Sequence, residues 1–133
     1  MLILHDIQNN NPRNYLSKQD LLLVAKHLDT TVGVIYGVAS YYTMFSLKPR
    51  GKHIIRLCRS PVCHLAGAID VHSELTRMLH IGIGETTTDR RFTLESTECL
   101  GQCDVAPAMT IDDVLYKNLT VEKIETIIDR YID

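Results

Sequence analysis

Apolar residues recur at helical spacing in the first third of the chain, and runs and alternations of strand type follow. Leu2 to Gln8 reads as a short helix, broken by the turn residues Asn9-Asn10-Asn11-Pro12. Ser17, with Asp20 three residues on, has the form of an N-cap in a loose capping box. Leu21, Leu22, Val24, Ala25 and Leu28 then make a broad apolar face, which predicts a helix over Lys18 to Leu28. Thr30 or Thr31 caps a further helix from Val32 to about Tyr41, weakened by Gly33 and Gly37, which in turn allow close packing. Lys48-Pro49-Arg50-Gly51-Lys52 reads as a polar linker.

Beyond it, His53-Ile54-Ile55-Arg56-Leu57 is a strand ending at Cys58. Ala66 to about Leu79 reads as a helix with Ala68, Ile69, Leu75, Met78 and Leu79 turned inward. Arg91 to Thr97 is a second strand, with Phe92 and Leu94 on one face and Thr93 and Glu95 on the other. Ala108–Ile111 and Val114–Tyr116 form a hairpin around Asp112-Asp113. Thr120 caps a closing helix, Val121 to Ile132, with Ile124, Ile127, Ile128 and Ile132 inward. The order β-α-β-β-β-α predicts a compact α/β layer domain over residues 52–133, preceded by a helical appendage over residues 1–47.

A chain of 133 residues suits one domain with a small appendage. The formal charge of −2 disfavours a nucleic-acid partner, which selects for a basic stripe. No apolar run is long enough for a membrane span. Met1-Leu2-Ile3-Leu4-His5-Asp6 has no basic n-region, which argues against a secretion signal. The expected compartment is the cytoplasm, where thiols stay reduced and available to metal.

The chemistry lies in the cysteines. All four fall into two close pairs, Cys58-x4-Cys63 and Cys99-x3-Cys103, and each pair follows a predicted strand. Strand ends let two loops meet on one rim, so four thiolates can converge, the usual ligand set of a 2Fe–2S cluster. Structural zinc is an alternative, although its loops usually have C-x2-C knuckles. Disulfides are another, against the expected compartment. Unrelated buried cysteines are a third. A dithiol redox enzyme calls for C-x-x-C, which is absent. A Rieske centre needs two histidine ligands, and only His64 adjoins a cysteine.

The segments Cys58-Arg59-Ser60-Pro61-Val62-Cys63-His64-Leu65-Ala66-Gly67 and Glu98-Cys99-Leu100-Gly101-Gln102-Cys103-Asp104-Val105-Ala106-Pro107-Ala108 resemble the cluster loops of the NADH-quinone oxidoreductase E-subunit family. The resemblance extends to Val34–Tyr42 and Phe45–His53. It implies a thioredoxin-like 2Fe–2S ferredoxin domain in which Cys58, Cys63, Cys99 and Cys103 hold the cluster. The family spans complex I, electron-bifurcating and NAD-linked hydrogenases, formate dehydrogenases and transhydrogenases. It implies docking on a subunit that carries FMN and NAD(P)(H), with further iron–sulfur or hydrogenase subunits in the assembly. Family members usually carry more helix ahead of the segment that Leu2 to Gln8 resembles, and a short form suits a soluble complex better than the quinone-reducing one. Thioredoxin-like folds often carry a cis proline where Pro107 stands.

No GxGxxG, P-loop or nucleophile constellation occurs in the sequence, so flavin and nicotinamide sites are expected on a partner. Gly101, between two candidate ligands, is expected to adopt a positive φ or to admit close approach. His64 reads first as a solvent-facing residue and second as a hydrogen-bond donor to a cluster sulfur. The stretch Tyr36, Tyr41, Tyr42, Met44 and Phe45 reads as packing or as a docking surface. All-thiolate ligation beside Glu98 and Asp104 predicts a low reduction potential. The leading expectation is an electron-transfer subunit. A free ferredoxin shuttle and a zinc-stabilised interaction module are the alternatives.

Overall fold

The structure, a computed structural model, describes residues 2–98, 100–101 and 103–132. It falls into two compact units, residues 1–52 and 53–133.

The first unit contains α1 (Leu2–Asn10), α2 (Lys18–His27) and α3 (Val32–Tyr41). The expected capping box forms: the Asp20 N–H donates to Ser17 Oγ, and the Ser17 N–H donates back to the Asp20 carboxylate. Thr31 caps α3. Ser17→Ala should therefore cost about 1 kcal/mol, read as a lowered midpoint in thermal melting. Leu4, Leu16, Leu21, Val24, Ala25, Ile35, Ala39 and Phe45 form this unit's own core. Gln8 is buried among them, with both ends of its amide used. Its Nε2 donates to the Met44 carbonyl at 2.9 Å, and its Oε1 accepts from the Ser46 N–H at 2.8 Å. The helical face is narrower than expected, since Leu22 and Leu28 are exposed.

The expected linker is instead a strap that folds back on the helices. The Arg50 N–H donates to the Arg13 carbonyl at 2.8 Å, and its Nε to the Asn14 carbonyl at 2.7 Å. Asn14 Nδ2 in turn reaches the carbonyls of Gly51 and Lys52. A five-residue polar run looks like a spacer in sequence, but buried backbone donors and acceptors need partners, and these residues supply them.

The second unit is a four-stranded mixed sheet in the order β2-β1-β3-β4. Its strands are β1 (His53–Cys58), β2 (Phe92–Thr97), β3 (Met109–Ile111) and β4 (Val114–Tyr116). β1 runs parallel to β2 and antiparallel to β3. Between β1 and β2 lie a helical turn, α4 (Pro61–Cys63), a π-helical turn (His64–Ala68) and α5 (Ile69–Leu79). α6 (Val121–Ile132) closes the unit. Ile55, Leu75, Leu94, Met109, Ile111 and Ile124 form the centre of the core at full burial. At the β3–β4 turn Asp112 takes φ 55°, which aspartate tolerates. Its carboxylate accepts from the Ile54 N–H at 3.0 Å and lies 2.8 Å from His53 Nδ1, tying the hairpin to the start of β1.

Two expected inward residues face out: Ile69 is 51% exposed and Ile132 is 46% exposed. Both lie at helix ends, where the neighbouring layer no longer covers the stripe. No helix among the described residues is long and apolar enough to cross a membrane.

Candidate metal centre

β1 is the central strand that delivers Cys58, and its pairing continues past the strand end. The Cys58 N–H donates to the Ala108 carbonyl at 3.2 Å, and the Arg59 N–H donates to the Thr97 carbonyl at 3.0 Å. The backbone then turns at Ser60 into Pro61, whose fixed φ suits the first position of a helical turn. Cys63 closes that turn. The winding thus begins five residues before the expected start at Ala66. It widens into a π turn and is interrupted at Gly67, with φ 107°. A Cβ built on Gly67 meets no atom within 4 Å, so the glycine is required for its backbone angle rather than for space.

The second loop leaves β2 at Thr97. Gly101 has φ 73°, and a Cβ there would also point into open space. The expectation of a positive φ holds. Cys103–Val105 form a 3-10 turn, and the Asn118 N–H donates to the Val105 carbonyl at 2.8 Å. The Ala106–Pro107 peptide is cis.

Cys58 and Cys63 are brought together. They are 1% and 2% exposed and share a small core with Ala68. Leu100, inside the second loop, and Ala106, just after it, pack against this core, so the two cysteine loops are apposed. Cys103 lies on the exposed side of its turn, and Cys99 lies outside the described residues. Among the described residues, no three histidine, cysteine, aspartate or glutamate side chains converge on one point.

The two buried thiols differ. Burial pushes Cys58 up, but hydrogen bonds from the Ser60 hydroxyl and backbone, from Cys63 and from the Leu100 backbone outweigh it and hold the thiol below its ordinary value. Burial also pushes Cys63 up, and there the Ala108 backbone does not offset it, so the thiol stays above its ordinary value. One sulfur of the pair is thus predisposed to the thiolate form that metal requires.

Charge at the rim is paired. Arg59, next to Cys58, grips the Glu98 carboxylate through both Nε (3.2 Å) and Nη2 (2.7 Å). Both side chains are mostly exposed, so the pair adds little stability. It sets a positive charge beside Glu98, one of the two acids, with Asp104, expected to depress the potential. His64 is exposed and opens on a cavity of about 330 Å³ with Cys58, Ala68, Ile69 and His72, in keeping with its solvent-facing reading.

Sequence reasoning did not anticipate the roles of Ser60 or the Ala108 carbonyl. A serine before a proline reads as a helix cap, and a carbonyl has no signature in sequence. The donor set fits an iron–sulfur cofactor: two soft sulfur donors lie side by side in an apolar setting, with a second cysteine-bearing loop packed on them.

A family model described as thioredoxin-like [2Fe-2S] ferredoxin matches residues 1–132. The E subunit of the NADH-quinone oxidoreductase of Rickettsia felis is 38% identical over 131 residues, covering 98% of this chain and 78% of the relative. Its counterpart from Escherichia coli (strain K12) is 41% identical over 108 residues, covering 81% of this chain and 65% of the relative. Among solved structures, an NAD+-reducing [NiFe]-hydrogenase in the air-oxidized state superposes with a TM-score of 0.84 at 26% identity. That likeness covers 97% of this chain and 22% of the hydrogenase chain. The family match extends over both units and both cysteine loops, and on that ground the cofactor is a 2Fe–2S cluster and the chain belongs to the thioredoxin-like [2Fe-2S] ferredoxin family.

Proposed function

We propose that this chain is the electron-transfer subunit of an NADH-linked oxidoreductase complex. In this reading Cys58, Cys63, Cys99 and Cys103 ligate one 2Fe–2S cluster, which exchanges single electrons with a flavin on a partner subunit. The observation that carries it is the buried Cys58–Cys63 pair with the second cysteine loop packed against it. The chain's own residues have three tasks. Cys58 and Cys63 supply sulfur, one of them already biased toward thiolate. Ala68, Leu100 and Ala106 exclude water from the sulfurs. β1 and its pairing with Thr97 and Ala108 hold the first loop rigid, so that little reorganisation accompanies electron transfer.

The names of the relatives, an NADH-quinone oxidoreductase and an NAD+-reducing hydrogenase, support a partner that handles a nicotinamide. Within that class, complex I, an electron-bifurcating or NAD-linked hydrogenase, a formate dehydrogenase and a transhydrogenase, each working at the cytoplasmic side, are the candidate assemblies. The helical unit favours a fixed subunit over a free shuttle, which has no use for a second docking element.

Metal analysis of the purified chain tests this reading. Iron and acid-labile sulfide should each come to about two per chain, in a red-brown protein. Four irons per chain, or zinc in a colourless protein, would overturn it.

A further inference from the structure

Ser60 occupies the N-cap position of α4 with the extended backbone of a cap, φ −62° and ψ 157°. A cap serine normally turns its hydroxyl onto an N–H of the first helical turn. Here no such bond forms. The Ser60 hydroxyl lies instead 3.3 Å from Cys58 Sγ. Its backbone is held by the His64 N–H, which donates to the Ser60 carbonyl at 2.9 Å, and Pro61 fixes the residue that follows. The hydroxyl is thus not engaged in capping and is directed at the sulfur.

We infer that Ser60 is a positioning residue that sets the readiness of the cluster to accept an electron, by donating a hydrogen bond to the Cys58 sulfur. The inference rests on the proposed role of Cys58 as a ligand. A thiol can donate to the hydroxyl, but a metal-bound thiolate has no proton, so the freely rotating hydroxyl becomes the donor. A hydrogen bond to a ligand sulfur draws off electron density. It favours the reduced state, which carries one more negative charge, and raises the potential. The bond is shielded, because Cys58 is buried and Ser60 half-buried.

The test is a redox titration of the full-length, cluster-loaded protein, with dithionite as reductant, comparing wild type, Ser60→Ala and Ser60→Thr. Ser60→Ala should shift the midpoint to a more negative value, with iron per chain and melting temperature unchanged. Ser60→Thr keeps the hydroxyl and should restore the wild-type midpoint. If Ser60→Ala fails to load, Ser60→Gly, which a cap position accepts at little cost, should show the same negative shift. An unchanged midpoint in a loaded variant overturns the inference, as does a lowered melting temperature without a shift, which would make Ser60 an ordinary cap. Failure of the wild type to bind iron would instead overturn the parent reading.

Discussion

Replacing Cys58 or Cys63 by serine is expected to abolish the red-brown chromophore and reduce bound iron from about two per chain to a small fraction of that. Serine nearly matches cysteine in volume, so the packing with Ala68, Leu100 and Ala106 is kept. The change lies in the donor. An alkoxide is harder than a thiolate and a poorer partner for iron–sulfur chemistry, and a buried hydroxyl does not ionise at neutral pH. The fold survives, because neither cysteine belongs to the main core around Ile55, Leu75, Leu94 and Ile111. Circular dichroism should therefore be near wild type while iron and sulfide are lost. Cys99→Ser and Cys103→Ser should also lose the cluster. His64→Ala, by contrast, should keep its iron, since the imidazole is exposed beside the thiols. A Cys58→Ser protein with a full complement of iron would remove Cys58 from the ligand set. Loss of iron in His64→Ala would give the histidine a role that its exposure does not suggest.

Much of this architecture was legible because its elements have strong periods and strong punctuation. The Ser17–Asp20 capping box, the helix from Val121 and the Asp112 turn each announce themselves in a few residues, and each is found. The cysteine spacing was legible for the same reason: four soft donors in two tight pairs have few other uses. What escaped notice depends on contacts that local sequence does not encode. Gln8 is buried although glutamine usually is not, because two backbone groups at Met44 and Ser46 need its amide. Arg50 looks like part of a spacer, yet it closes the helical unit through carbonyls 36 and 37 residues away. The π turn at His64–Ala68 leaves no periodic trace, since it only displaces the face of the helix that follows. That displacement is one reason Ile69 was expected inside and is found outside. The site shows the same division: its candidate ligands could be read from residue types, whereas the Ser60 contact and the Arg59–Glu98 pair required coordinates.

Removing residues 1–52 is expected to leave a red-brown ferredoxin domain, reducible by dithionite, that no longer co-purifies with the flavin-bearing partner proposed above. The first unit contains no cysteine, so it contributes no ligand. The second unit has its own sheet and its own core, from Ile55 to Ile128, and so holds the means to fold without the first. The cut belongs after Lys52 and not at Lys48, because Arg50 and Gly51 are bonded to Arg13 and Asn14 within the helical unit. The case for docking rests on what the helices leave uncovered. Leu21, Ile35 and Phe45 are consumed by the unit's own core and are not available to a partner. Leu22, Val34, Tyr36, Tyr41 and Tyr42 remain exposed, Tyr41 at 78%. A groove of about 420 Å³ in the same unit has Leu16 and Leu21 of the core at its floor and Lys18, Val32, Tyr36 and Leu47 at its edges. Aromatic and aliphatic side chains left bare in such number are costly in water unless a partner covers them, and tyrosine is enriched where partners do. A Tyr36→Asp, Tyr41→Asp chain of full length tests the same point without truncation. Both residues are exposed, so the variant should fold, bind iron and show the wild-type reduction midpoint, yet lose most of its affinity for the partner. If the shortened chain or this variant still assembles with the flavoprotein at wild-type strength, docking belongs to the ferredoxin domain and the helices serve another end.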